Sequence, residues 1–426
     1  MQKAESDASS SAIKKLIFFY PRPVSAFEED KWCFSYLRSQ GFEIEVLDLT
    51  ELLHRGREFN KLVAQPLQGD FIHHINSYQE LECFVKRFSG DSLFIDYLVG
   101  CSKVTLREER VFRLLKKYGV NYTFLTSGAL PLPSRSVINK SGKIKIFQSR
   151  VVKILTNPYK LLNFLVSEII VFLTRHRIVY PLPVVIFGGD SEVLRLYVEA
   201  RNFDKGNIVP VHSFDYDSSM LFLRGLGNKL PENDDICVFL DEAATHHSDF
   251  AILGIEPAAA EFYFVAMNRF FDFVEKNTGL KVVIAAHPRS EYESMSDVFG
   301  GRAVIKDKTL ELVARSKLVV VHMSTSLSYA VLFKKPVISV KIPGMRVDGG
   351  QNLMVETMGE AIGSKPIDLD KDELTSSLLQ CEYNLEKYSE YKKRYVKTVG
   401  ADELPAWEIV AKTVKNIQSE IKGSSV

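Results

Sequence analysis

The sequence predicts an α/β protein made of two parallel-sheet halves. Short, continuous apolar runs, such as LIFFY at 16–20 and VVIAA at 282–286, read as strands buried on both faces. Helical stretches with a charged face separate most of these runs, and that alternation marks parallel βαβ units. The chain has 426 residues with 46% hydrophobic and 25% charged side chains, enough for about two or three domains with packed cores.

In chain order, strand 16–20 is followed by a polar helix over 28–39 and a second strand over 42–49. Strand 71–75, helix 78–88, strand 93–99, helix 105–117 and strand 122–125 continue the rhythm, which pauses at Ser127-Gly128. Residues 131–183, bracketed by Pro131, Pro133, Pro181 and Pro183, interrupt it. It resumes with strand 184–187, which ends in Gly188-Gly189, a helix from 191 and strand 208–212. Residues 231–235 form a polar, turn-rich connector. The second half reads as strand 236–240, helix 261–276, strand 281–286, a short strand at 303–305 and helix 309–316. Strand 318–321, helix 326–333 and strand 337–340 follow, then a charged helical tail from 370.

Charge narrows the function. Lys+Arg number 54 and Asp+Glu 53, so the chain lacks the basic excess of a nucleic-acid coat, and no nucleic-acid partner is expected. Cys33, Cys83, Cys101, Cys237 and Cys381 are odd in number and none forms a CxxC pair, which argues against a zinc ribbon or a disulfide framework. The polar start, MQKAESDASSSAIKK, lacks a signal-peptide core and reads as a disordered lead-in to a cytoplasmic protein. The apolar stretch 161–173, LLNFLVSEIIVFL, is shorter than the roughly 20 residues needed to span a bilayer. A buried helix is the favoured reading. A helix lying on the inner face of the cytoplasmic membrane, with Lys160, Arg175 and Arg177 meeting lipid phosphates, is the alternative.

In open parallel sheets ligands sit beyond the carboxyl ends of the strands, and here the polar clusters fall there. Three strand ends of the second half stand out: VFLDEAATHH, VVIAAHPRSE and VVVHMSTSLSYA. Ser324, Thr325 and Ser326 offer three small hydroxyls between a strand and a helix, a setting that suits a phosphate, although a plain helix cap needs one of them. His287, before Pro288, can donate to a phosphate oxygen and protonate a departing phosphate, or simply cap the core. Arg289 can pair with a carboxylate. Asp241 and Glu242 suit a base, a nucleophile or a structural cap. His246-His247 lacks further ligands at a metal-binding spacing. Glu168 lies within an apolar helix, where an ionised carboxylate is costly unless paired; it either serves function or faces solvent at the helix edge. Asp215-Tyr216-Asp217 matches a DxD pattern but reads better as a turn after its strand. Gly188-Gly189 gives a ligand room near the backbone without the spacing of a dinucleotide motif.

The order strand–His-Pro, then strand–hydroxyl cluster–helix, over 236–340, resembles the GT-B glycosyltransferases that use CMP-activated ulosonic acids. These include the retaining β-Kdo transferases of surface polysaccharide assembly, with bacterial sialyltransferases and polysialyltransferases as relatives. The resemblance implies a GT-B fold: two Rossmann-like domains whose parallel sheets face a central cleft. It implies CMP phosphate binding by His287, Pro288, Ser324, Thr325 and Ser326, and no metal or other cofactor. The acidic-pair-plus-glycine motif of the inverting sialyltransferases has no clear copy here. Asp241-Glu242 instead looks like the retaining Kdo transferases, in which an aspartate attacks the anomeric carbon.

On that resemblance the expected activity is transfer of Kdo from CMP-Kdo to a polysaccharide or lipid-linked glycan, with retention through an adduct on Asp241. His287 serves as phosphate ligand and acid, and Glu168 as acceptor base. Glu242 stands behind them as a ribose or supporting partner, Glu311 meets the ribose, and Arg289 meets the donor carboxylate. The expected layout is a lead-in over 1–14, an acceptor-side domain over 15–235, a CMP-sugar domain over 236–380 and closing helices over 381–426. The alternatives are an inverting CMP-sialic-acid-type transferase, a CDP-polyol phosphotransferase of cell-surface polymers, and a non-catalytic scaffold that has kept the fold.

Overall fold

The computed structural model describes residues 13–54, 66–87, 91–97, 106–126, 130–131, 162, 165–166, 169, 172–173, 183–189, 194–195, 198, 208–247, 257–342 and 350–423. The first half runs β1 (Lys15–Tyr20), α1 (Ala26–Lys31), α2 (Phe34–Ser39), β2 (Glu43–Asp48), α3 (Thr50–His54), β3 (Ile72–His74) and α4 (Tyr78–Arg87). It continues with β4 (Ser92–Asp96), α5 (Leu106–Lys117), β5 (Tyr122–Thr126), β6 (Ile186–Gly188) and β7 (Ile208–Pro210). α6 (Phe214–Gly225) leads to β8 (Ile236–Leu240), α7 (Ala260–Thr278), β9 (Lys281–Ala286), β10 (Val304–Lys306), α8 (Thr309–Arg315) and β11 (Leu318–Val321). Then come α9 (Leu327–Leu332), β12 (Val337–Lys341), α10 (Gly350–Ile362), β13 (Ile367–Asp368), α11 (Leu385–Tyr391) and α12 (Ala406–Gly423).

The strands form two parallel sheets, ordered β3-β2-β1-β4-β5-β6-β7 and β10-β9-β8-β11-β12-β13. In each sheet the order reverses beside the first strand of its half. The crevices therefore open at the ends of β1 and β4 in one domain and of β8 and β11 in the other. These are the two parallel-sheet α/β halves that the sequence predicts.

The strand sequences explain the layering. Successive side chains point to opposite faces, so a strand covered on both sides is apolar at every position. Ile17 and Phe19 join one core while Leu16 and Phe18 join the other. In the second domain Cys237 and Phe239 pack beneath α7, and Val238 and Leu240 face the opposite core. α7 buries Tyr263, Met267, Phe270, Phe271 and Val274, a helical stripe, and stops at Gly279 in the left-handed region (φ 72°).

Several expectations need correction. The helix at 28–39 is two short helices, because Cys33 takes a left-handed conformation (φ 50°) and breaks the ladder between them. The turn expected at 215–217 is the first turn of α6, capped by Ser213, whose hydroxyl accepts from the Tyr216 amide. Phe214 of α6 packs on the core of Leu16 and Phe18, and Tyr216, Phe222 and Leu223 on that of Val238 and Leu240, so this helix joins the two halves. α12 returns to the first domain, where Trp407, Val410 and Val414 join the core of Leu16 and Phe18, and the Trp407 Nε1–H donates to the Lys31 carbonyl at 3.1 Å.

The buried-helix reading of 161–173 holds for one face. Val166 and Leu173 pack on the first core, whereas Leu162, Leu165, Ile169 and Phe172 are exposed. No helix among the described residues is long and apolar enough to cross a membrane. Of the lead-in expected at 1–14, residues 1–12 lie outside the described residues, as do Lys160, Arg175 and Arg177, whereas Ile13 packs on the core of Leu16 and Phe18 and the Lys14 amide donates to the Asp91 carbonyl at 2.8 Å.

Candidate functional site

β8 is central: β9 pairs with one edge of it and β11 with the other. The three strand ends singled out by sequence are therefore neighbours. At about 4.8 Å per strand, the His287 and Ser324 loops leave the sheet roughly 10 Å apart, with Asp241-Glu242 between them.

The two carboxylates serve opposite neighbours. Asp241 is buried, and its Oδ2 accepts from the His287 amide at 3.1 Å. Its Oδ1 accepts from the Tyr292 hydroxyl at 2.9 Å and the Ala243 amide at 3.0 Å. Burial pushes this carboxyl up to about 6, against the pull of the three hydrogen bonds. Ala243 sits in the left-handed region (φ 51°), a conformation an alanine adopts only when its surroundings impose it. Asp241 thus anchors the His287 loop and a strained turn, with both oxygens occupied. Both oxygens of the expected nucleophile accept hydrogen bonds from the chain itself.

Glu242 reaches the other way. Its Oε1 pairs with Nδ1 of His322, which is fully buried at the end of β11. Glu242 Oε2 and His322 Nε2 are both buried without a hydrogen-bond partner. The carboxylate pair at the end of β8 therefore ties both flanking loops to the central strand.

His287 has a defined tautomer. Its Nδ1 accepts from the Arg289 amide at 3.1 Å, which leaves the proton on Nε2. Burial, together with His247, Arg289, His246 and Lys306, lowers its pKa to about 3. At neutral pH the ring is uncharged, so it can donate a hydrogen bond to an anion but has no spare proton to release. In this state the phosphate-ligand role expected of His287 keeps its donor.

Ser324 is buried and its hydroxyl accepts from the Ser326 amide at 3.3 Å, whereas Thr325 is exposed at the mouth of the turn. Pro288 is exposed beside His287, and Glu311 is exposed on the first turn of α8.

The first domain supplies the opposite wall. Glu28 on α1 is buried, and Arg289 Nη2 donates to its Oε1 at 2.9 Å across the cleft. The Tyr20 hydroxyl donates to the same oxygen at 3.0 Å, and Ser25 gives its amide (2.9 Å) and hydroxyl to Oε2. Burial alone would raise the Glu28 pKa, but Ser25, Arg289 and Tyr20 outweigh it and hold the carboxyl below its ordinary value. Arg22 acts on Tyr20 and Lys31 electrostatically, and burial lowers the Lys31 pKa. Sequence reading missed Tyr20, Ser25, Glu28 and His322. The usable signal for Tyr20 and Ser25 was YPRPVS at the end of a central strand.

Other candidates find different work. His246 is engaged at both nitrogens, by Thr245 at 2.9 Å and by the Glu291 amide at 3.3 Å, and no metal cluster occurs among the described residues. Asp217 Oδ2 accepts from the Ala406 amide at 2.7 Å, so the DxD pattern is part of the domain connection. A side chain at Gly188 would meet Leu194 and Thr126, and one at Gly189 would meet Thr398, so the chain itself fills the room expected for a ligand. Glu168 lies outside the described residues.

Neither a protein-family profile nor a curated protein matches the sequence. Among solved structures, the wall teichoic acid polymerase TagF matches with a TM-score of 0.49 at 12% identity, over 98% of this chain and 92% of that one. Acinetobacter baumannii MurG matches with 0.43 at 9% identity over 95% and 99%. A putative UDP-N-acetylglucosamine 2-epimerase from Listeria monocytogenes matches with 0.44 at 13% identity over 96% and 98%.

Proposed function

We propose that this chain is a GT-B glycosyltransferase that takes a CMP-activated sugar acid, Kdo first among them, and transfers the sugar to a hydroxyl of a glycan or lipid-linked acceptor. The observation that carries the reading is the loop pair flanking β8. On one side is a neutral histidine with its Nε2–H available; on the other is a hydroxyl turn; both are anchored to the central strand by adjacent carboxylates. Arg289 adds a guanidinium already matched to a carboxylate.

In this reading the donor phosphate lies between His287 and the Thr325–Ser326 hydroxyls, which offset its charge as the bond to the sugar breaks. No cofactor takes part, and EDTA leaves turnover intact. With Asp241 committed to anchoring the His287 loop, displacement is direct. The acceptor oxygen bonds the anomeric carbon as CMP departs with the bonding electrons, and Glu28, more basic once Arg289 leaves it, takes the acceptor proton. The product then has inverted configuration, in place of the retention expected through Asp241.

The test is a thermal-shift screen with CMP, CDP, UDP and GDP, followed by turnover of CMP-Kdo with NMR analysis of the product anomer. Stabilisation by CMP and an inverted product support the reading. Stabilisation by UDP or GDP alone contradicts it, and turnover of CDP-glycerol in place of CMP-Kdo moves the chain to the polyol-phosphate class.

A further inference from the structure

The Glu28–Arg289 pair joins residues 261 positions apart, one following β1 of the first sheet and the other following β9 of the second. We propose that Glu28 is a resident stand-in for the substrate's carboxylate: it occupies Arg289 while the cleft is empty and yields it to the carboxylate of an incoming sugar-acid nucleotide. This rests on the donor-site reading above and specifies how that site selects its ligand.

Three features make the exchange feasible. The guanidinium fork matches the two oxygens of a carboxylate, and Arg289 is shown holding one. Glu28 does not depend on Arg289, because Tyr20 and the amide and hydroxyl of Ser25 remain as donors when the arginine leaves. Its carboxylate therefore stays hydrogen-bonded and avoids the large cost of an abandoned buried charge. Arg289 in turn loses one carboxylate and gains another, so the swap exchanges like for like. In the donor-site reading the phosphate of CMP is held by His287 and the Thr325–Ser326 turn, so CMP brings no second anion to displace Glu28, and the pair then acts as a filter against it.

The exchange also has a mechanistic consequence. Arg289 is among the groups holding the Glu28 carboxyl down, so its departure makes Glu28 more basic at the moment a donor arrives.

The experiment is calorimetric titration of CMP and CMP-Kdo into the full chain, wild type and Glu28→Gln. Removing the resident charge should tighten CMP-Kdo about tenfold and leave CMP within about twofold, so the affinity ratio moves by roughly one decade. Arg289→Ala, at the more exposed end of the pair, should erase the preference for CMP-Kdo, and it carries the test if Glu28→Gln fails to fold. An unchanged CMP-Kdo to CMP ratio in both variants overturns the inference while leaving the donor site standing. Failure of wild type to bind CMP overturns the donor reading, and this inference with it.

Discussion

Asp241→Asn separates anchoring from catalysis. Burial pushes the Asp241 carboxyl up to about 6, against an ordinary value of 3.8. The folded chain therefore holds this proton more tightly than the unfolded one. The stability it contributes is complete below about pH 4 and is lost as pH rises through about 6. A shift of about 2 units corresponds to about 3 kcal/mol against the fold at pH 8. Asparagine cannot ionise, so it removes that penalty, but its amide nitrogen must face one of the three donors that Asp241 accepts from. Losing such a bond costs roughly 1.5–3 kcal/mol. The two effects nearly cancel at pH 8, whereas at pH 4.5 most of the hydrogen-bond loss remains. Urea unfolding should give a variant within about 1 kcal/mol of wild type at pH 8, and a difference shifted by about 2 kcal/mol toward destabilisation at pH 4.5. CMP affinity should fall at least about tenfold, because the His287 amide loses its acceptor. Equal destabilisation at both pH values with unchanged CMP binding would refute the anchor. So would an adduct on Asp241, seen by intact mass after incubation with CMP-Kdo.

Breaking the Glu242–His322 pair by Glu242→Gln or His322→Gln should cost about 3–5 kcal/mol each, since either leaves a buried group unmatched. The double variant should cost at least about 1 kcal/mol less than the sum, measured by a denaturation cycle. Asp217, pushed up to about 7 by burial with Asp215 adding to the push, has its favourable contribution complete below about pH 4 and lost by about pH 7. Asp217→Asn should accordingly flatten the decline of the thermal midpoint between pH 5 and 8. Trp407→Ala removes a fully buried ring 5.6 Å from Phe18 and should cost about 3–5 kcal/mol, read as a lower midpoint for the first domain.

The parallel sheets were legible because a strand covered on both faces must be apolar throughout, and LIFFY, ICVFL, VVIAA and LVVV satisfy that requirement locally. The residues following those strands were legible too, because a polar cluster that ends an apolar strand falls where an open parallel sheet receives its ligand. Glu28 was hidden because AFEEDK has the charge of any solvated helix, and only a partner 261 residues away gives it a role. His322 was hidden by its position at the last step of a buried strand, where the neighbouring hydroxyls drew attention away from it. α10 went unread because its glycines, Gly350 and Gly359, lower helical propensity; Gly359 is required where Pro366 and the Ser364 carbonyl press against the helix. The role of Asp241 depends on which donors converge on it, and spacing along the chain carries no such information.

The central claim is that the loops flanking β8 bind the phosphate of a cytidine nucleotide, and calorimetric titration of CMP into wild type and His287→Ala tests it most directly. Saturable CMP binding that weakens at least about tenfold in the variant, with UDP and GDP inert, is the predicted result. CMP binding equally well to both proteins, or binding of UDP or GDP in its place, would contradict it.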